Sequence, residues 1–72
     1  MDLYTQTARV KDYILANGEI SQREAYRLGI YRLSGRIFDL KKRGENIITE
    51  MRKVENADGT TTRVAYYKME GK

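Results

Sequence analysis

The side chains of this 72-residue chain that best fit a chemical task are basic, and they are concentrated in one segment. Residues 23–43 contain seven Lys or Arg against two acidic residues, a net charge of +5. Within the segment Arg32 and Arg36 stand four residues apart, so on a helix they lie on one side. A guanidinium group can donate two hydrogen bonds to a phosphate or to the edge of a guanine. This spacing indicates binding to a polyanion.

Catalysis has no comparable support. The chain contains no His and no Cys, it has no glycine-rich phosphate-binding loop, and its acidic residues do not pair on any predicted face. We therefore expect no enzymatic activity, no catalytic or metal-binding residue, no cofactor and no small-molecule substrate.

The overall charge is +4, from 14 basic and 10 acidic residues, and its distribution is uneven. Residues 1–44 carry nine basic and five acidic side chains, whereas residues 45–72 carry five of each. A chain of this length forms one small domain with a thin core. The absence of an apolar run of membrane-spanning length and of a signal-peptide pattern predicts a cytoplasmic protein without membrane contact. We expect flexible tails at residues 1–4 and 70–72.

The periodicity of the apolar residues predicts three helices. The first runs from about Thr5 to Asn17, and the expected buried stripe is Val10, Tyr13, Ile14 and Asn17. Ile20 then points inward from a segment that could form a short strand with the C-terminal part of the chain. The second helix starts at a capping box formed by Ser21 and Glu24. It buries Ala25 and Leu28 and ends at Gly29.

The third helix is predicted to start near residue 31 or 32 and to stop at Gly44. Leu33, Ile37 and Leu40 have the spacing of a buried face. The opposite face is expected to carry Arg32, Gly35, Arg36, Asp39 and Lys42, with Ser34 and Phe38 at its edge.

After Gly44 the pattern alternates, which is typical of strands. Two β-rich runs, 46–55 and 60–69, flank a turn that ends in Asp58-Gly59. Tyr66 and Tyr67 point to opposite faces of the second run, so one of them belongs to the core. The expected class is α+β, mainly α: three helices followed by a C-terminal β-hairpin.

With this order of elements the chain resembles the small winged helix-turn-helix domains that bacteriophages and other mobile elements often encode. The residues that carry the resemblance are Ala25 and Gly29, the run 28–33, Arg36, Ile37, Asp39, Leu40, the run 42–44 and the strand 47–50. It covers most of residues 5–69 within a single domain, 1–72.

Gly35 departs from the pattern of compact phage repressors, in which a buried β-branched residue is usual at this position. Here the buried residue is Ile37, and a longer turn before the third helix would accommodate the shift. Two interpretations of Gly35 stay open. It is either a weak point, with the helix starting after it, or a place where the backbone can approach DNA closely.

The resemblance implies that the third helix reads the major groove of double-stranded DNA while the hairpin, or wing, touches an adjacent groove or phosphates. The implied base contacts are Tyr31, Arg32, Ser34, Gly35, Arg36 and Asp39. The implied phosphate contacts are Gln22, Arg23, Lys42 and Arg43, and the implied wing contacts are Arg52, Lys53 and Arg63. Glu55 and Asp58 beside the wing oppose its approach to phosphate.

The function expected on these grounds is that of a small transcriptional regulator or DNA-accessory factor in the bacterial cytoplasm or nucleoid. Because one domain of this size makes few contacts, either a homodimer on a two-fold site or a cooperative array is expected. The interface candidates are Leu3, Tyr4 and one face of the hairpin. The alternative is a winged helix that binds another protein, for example as an inhibitor of a host enzyme. Exposed arginines on the third helix argue against that alternative.

Overall fold

The computed structural model describes residues 3–70, which form an α+β domain of helices and a three-stranded antiparallel sheet. The order of elements agrees with the sequence prediction, and the sheet order is β1-β3-β2. The elements are α1 (Leu3–Asn17), β1 (Ile20–Ser21), α2 (Gln22–Arg27), α3 (Leu33–Lys42), β2 (Ile47–Glu55) and β3 (Thr61–Met69). No helix within residues 3–70 is long and apolar enough to cross a membrane.

The two ends of the described chain are more ordered than the sequence suggested. Helix α1 begins at Leu3, so residues 3 and 4 belong to a helix and not to a flexible tail. At the other end the Glu70 N–H donates to the Asn46 carbonyl at 2.8 Å, which ties this residue to the start of the wing. The remaining tail residues, 1–2 and 71–72, lie outside the described part, as does the side chain of Leu3.

The core is a single cluster of aliphatic side chains contributed by every helix and by two strands. Its buried members are Val10, Ile14, Ile20, Ala25, Ile30, Leu33, Ile37, Leu40 and Ile47. The predicted buried faces of α1 and α3 are confirmed at Val10, Ile14, Leu33, Ile37 and Leu40. Two predictions were incomplete: Thr7 is only 1% exposed, and Asn17, predicted on the buried stripe, is exposed.

Local signals define how α2 begins. The predicted capping box is present, and the Glu24 carboxylate accepts the Ser21 N–H at 2.9 Å. Ser21 is also the last residue of β1, where it pairs with Tyr66 while Ile20 pairs with Tyr67. The inward orientation predicted for Ile20 is confirmed, because this side chain is fully buried. The start of α2 is therefore attached directly to the sheet.

The wing, formed by β2 and β3, packs on the helices only at its base. Ile47 is buried there, and its partner Met69 and the nearby Tyr67 are partly buried against the core. The register continues without interruption from the Ile47–Met69 pair to the Glu55–Thr61 pair. Beyond the base no residue of the hairpin is buried, so its outer half projects from the body of the domain.

Candidate nucleic-acid interface

Gln22 holds the helix-turn-helix together. Its side-chain amide donates to the Ile30 carbonyl at 3.0 Å and accepts the Leu33 N–H at 3.1 Å. The second bond satisfies one of the N–H groups left without a partner at the start of a helix. Both ends of the Gln22 amide are thus bonded within the protein, and its predicted phosphate contact stays a prediction. Nothing in the spacing of eight and eleven residues indicated these bonds.

The outward face of α3, defined here as Gly35, Phe38 and Lys42, lies opposite the buried Leu33 and Ile37. Phe38, predicted at the edge of the exposed face, is 60% exposed. The Lys42 Nζ sits 5.3 Å from the centre of the Phe38 ring, a cation–π contact. The face therefore combines an apolar ring with a positive charge.

The helix starts two residues before Gly35, which contradicts the interpretation that it begins after this residue. The conformation of Gly35 does not require glycine, since its φ lies outside the left-handed region. A Cβ added here would meet only the Cβ of Arg32, at 4.0 Å. The glycine is therefore dispensable for the fold, which favours the interpretation that it lets the backbone approach a ligand.

Arg36 does not lie freely on the outward face. Its side chain is only 11% exposed, and its Nε is 3.1 Å from the Asp39 carboxylate. Its Nη1 also lies 3.5 Å from the Gln6 side-chain oxygen on α1. The predicted position of Arg36 and Asp39 on the face opposite the core is corrected: they form an ion pair on the flank of α3, next to α1.

The other cations of the segment are open to solvent. Arg23 is exposed at the start of α2, and Arg32 is exposed at the start of α3. Lys42 and Arg43 are exposed at the end of α3, where the Arg43 guanidinium lies 5.1 Å from the Tyr4 ring. Ser34 is exposed as well. These residues stay candidate contacts, as the sequence predicted.

The connection between α2 and α3 forms one wall of an open cleft of about 280 Å³. Tyr31 is 71% exposed there, with its ring 5.7 Å from that of Tyr26. The lining residues are Gln6, Gly29, Tyr31, Arg32 and Arg36. Two predicted base contacts, Tyr31 and Arg32, therefore share a surface with the flank occupied by Arg36. Such a cleft is suited to an anionic group of the DNA backbone.

Arg52 lies in the middle of the wing, opposite Val64, and its guanidinium is engaged within the protein. Its guanidinium donates to Glu19 at 2.6 and 2.8 Å and to Glu50 at 2.9 Å. It also lies 4.2 Å from the centre of the Tyr66 ring. The hydrogen bond from Arg52 holds the pKa of Glu50 down, to about 2, with help from Lys68 at 2.7 Å. The predicted wing contact at Arg52 stays a prediction, and it would compete with these intramolecular partners.

Lys53 and Arg63 occupy the outer half of the wing, where they lie directly opposite each other across the two strands. Both are exposed, and neither forms an ion pair within residues 3–70. Like charges in this position destabilise a hairpin by roughly 0.2–1 kcal/mol. The pair therefore costs the isolated fold and is suited to holding a phosphate between the two side chains. At the tip, hydrogen bonds from Thr60 lower the pKa of Asp58 and keep that carboxylate charged.

Comparison with known proteins agrees with this geometry. A family model described as a winged helix-turn-helix domain matches residues 5–71, nearly the whole chain. Among curated proteins none matches the chain.

Proposed function

The chain belongs to the winged helix-turn-helix family, and from that premise we propose that it binds double-stranded DNA as a small regulator or accessory factor. The observation that carries the proposal is the distribution of unpaired charge. The exposed cations of α2 and α3 surround the outward face of α3, while the only acidic side chain of α3, Asp39, is paired with Arg36. A polyanion therefore meets an attractive surface at this helix.

In the proposed complex, α3 enters the major groove. Arg32, Ser34 and the backbone at Gly35 approach base edges from the first turn of the helix. Lys42 and Arg43 meet phosphates beyond it, and Arg23 does so at the start of α2, where exposed amides add to the attraction for anions. Tyr31 lies at the entrance to the groove.

The wing gives a second point of attachment through Lys53 and Arg63. Because these side chains face each other across the strands, one phosphate can bind both. The contact adds affinity and fixes orientation, but it carries no information on base sequence.

One copy of the domain provides few contacts for tight specific binding, so we propose that two copies bind neighbouring half-sites. Tyr4 and Met51 are large apolar side chains that stay more than half exposed in the single chain. Either could contribute to contacts between copies on DNA.

The test is a fluorescence titration of labelled duplex DNA at several salt concentrations, first on a random pool and then on sequences selected from it. Binding should weaken as salt increases, with a slope of about −0.9 for each phosphate neutralised. Replacing both Arg32 and Lys42 by Glu should weaken binding at least about 30-fold, since each lost contact costs about 1–3 kcal/mol.

The matched control is Arg9→Glu, an exposed position in the middle of α1. It introduces a charge reversal of the same kind but removes no proposed contact, so its effect should be several-fold at most. The double variant lowers the net charge by four and Arg9→Glu lowers it by two. A loss of affinity in Arg9→Glu that is half as large on a logarithmic scale would therefore mean that net charge alone drives binding. Absence of any duplex binding at low salt would refute the proposal and favour the protein-binding alternative.

A further inference from the structure

Phe38 is an unusual residue for the surface it occupies. Its ring is 60% exposed and lies outside the apolar cluster that forms the core. The neighbouring positions on the outward face are a glycine one turn earlier and a lysine one turn later. Since the ring does not pack into the core, the fold gains little from an aromatic residue at this position.

We infer that Phe38 is a specificity-determining residue that contacts the C5-methyl group of thymine. The inference rests on the proposed function, in which α3 lies in the major groove. The base edges there present hydrogen-bond donors and acceptors, and the thymine methyl is the apolar group among them. A phenyl ring has no hydrogen bond to offer, so the methyl is its favourable partner.

Two features of α3 support this assignment. Gly35, one turn before the ring, has no side chain to hold the helix away from the bases. Lys42, one turn after it, places its ammonium group 5.3 Å from the ring centre, which puts a positive charge beside the ring. The ring therefore sits between a point of close approach and a phosphate-binding charge.

A protein partner is a weaker explanation for the same exposure. Protein-binding patches are contiguous apolar surfaces, whereas Phe38 is followed by Asp39 and by the basic run 41–43. The surface around the ring is thus suited to a polyanion and not to an apolar partner.

The experiment uses the full chain and a duplex selected for tight binding. Each thymine is replaced in turn by deoxyuridine, which removes only the methyl group. At one or two positions the affinity of the natural protein should fall about four-fold. This factor corresponds to about 0.8 kcal/mol, the free energy gained by burying one methyl group. Phe38→Ala should bind the thymine duplex more weakly and should not distinguish thymine from uracil at those positions.

Phe38→Leu is the matched variant, because leucine keeps an apolar contact and should retain part of the discrimination. Thermal melting of both variants checks that they are folded, which is expected for an exposed position. Methyl dependence that persists in Phe38→Ala would overturn the inference. So would loss of affinity in Phe38→Ala without any effect of uracil, which would indicate insertion between bases or contact between proteins.

The two levels of proposal fail differently. If selected duplexes bind with the expected salt dependence but every uracil substitution is silent, only the role of Phe38 is refuted. If no duplex binds, DNA binding and the role of Phe38 are refuted together.

Discussion

The α2–α3 unit and the wing both carry basic side chains, but they use them differently. In the wing, the Glu50 carboxylate pairs with Arg52 and with Lys68, and Arg52 pairs in addition with Glu19. Around α3 the cations other than Arg36 are exposed. In residues 3–70 only Arg36 among these cations pairs with a carboxylate, that of Asp39. The count of charges along a sequence thus differs from the charge that a surface can offer to a ligand.

The same contrast appears in how the two regions are held. The α2–α3 unit is fixed by polar bonds through Gln22 and by the core beneath it, which leaves its outer surface free. The wing has few buried side chains. Its Arg52 instead forms ion pairs with Glu50 in the wing and with Glu19 next to β1. The α2–α3 unit is therefore fixed in place with most of its cations exposed, whereas two cations of the wing are paired with carboxylates of the protein itself.

The largest effect should come from Gln22→Ala, which removes the bonds to Ile30 and Leu33. We expect unfolding to become easier by about 1–3 kcal/mol, because two backbone groups lose their partner, and DNA binding to weaken. Urea denaturation measures the first effect. Gln22→Glu is the control: it keeps the acceptor for the Leu33 N–H and should lose less. Unchanged stability in the alanine variant would mean that the core alone positions α3.

Next in size is the effect of replacing Lys53 and Arg63 by Gln. The affinity for DNA should fall about ten-fold, and the salt slope should become shallower by about 1, since one phosphate contact is lost. Stability should rise slightly, since two like charges no longer face each other. If the affinity and the salt slope do not change, the wing does not contact DNA, and only the cations of the α2–α3 unit bind it.

Gly35→Ala should have a smaller effect that separates folding from binding. The helix gains up to about 1 kcal/mol, because alanine is the better helix former and the structure has room for its Cβ. DNA affinity should nevertheless decrease, since the methyl group holds the backbone away from the bases. Thermal melting of the same variant measures the gain in helix stability separately from the DNA affinity. Tighter binding by Gly35→Ala would contradict close approach at this position.

The smallest effect is the pH dependence of the stability that the ion pairs of Glu50 contribute to the wing. The pKa of Glu50 in the folded protein is about 2, below its ordinary value of 4.5, because Arg52 donates to its carboxylate. The stability contributed by Glu50 is therefore fully present above about pH 4.5 and is lost as the pH falls toward 2. The difference in Tm between the natural protein and Glu50→Gln should shrink over that interval. A constant difference would show that charge at Glu50 does not stabilise the wing.

The fold was largely predictable because its signals are local. Leu33, Ile37 and Leu40 have helical spacing, and Ser21 with Glu24 forms a cap within four residues. The start of α1 at Leu3 was not predicted. The burial of Thr7 was not predicted either, since a hydroxyl gives no apolar signal. Local pattern also located the basic surface correctly.

Individual site residues were less predictable, because their roles depend on partners that are distant in sequence. Arg52 meets Glu19 across 33 positions, and Arg36 reaches Gln6 across 30. No periodicity reveals such pairs, so arginines that look alike in sequence differ in whether they are free. The sequence placed Phe38 at the edge of the exposed face of α3, and it did not indicate the contact of its ring with Lys42.

The short strand β1 has a consequence for the shape of DNA that the domain accepts. Ser21 pairs with the wing at Tyr66, and the next residue, Gln22, holds the first residue of α3. Two adjacent residues, Ser21 and Gln22, thus set the angle between the wing and α3. A duplex that contacts both must match this angle by its own curvature, so base steps that bend easily should raise affinity at positions that no side chain touches.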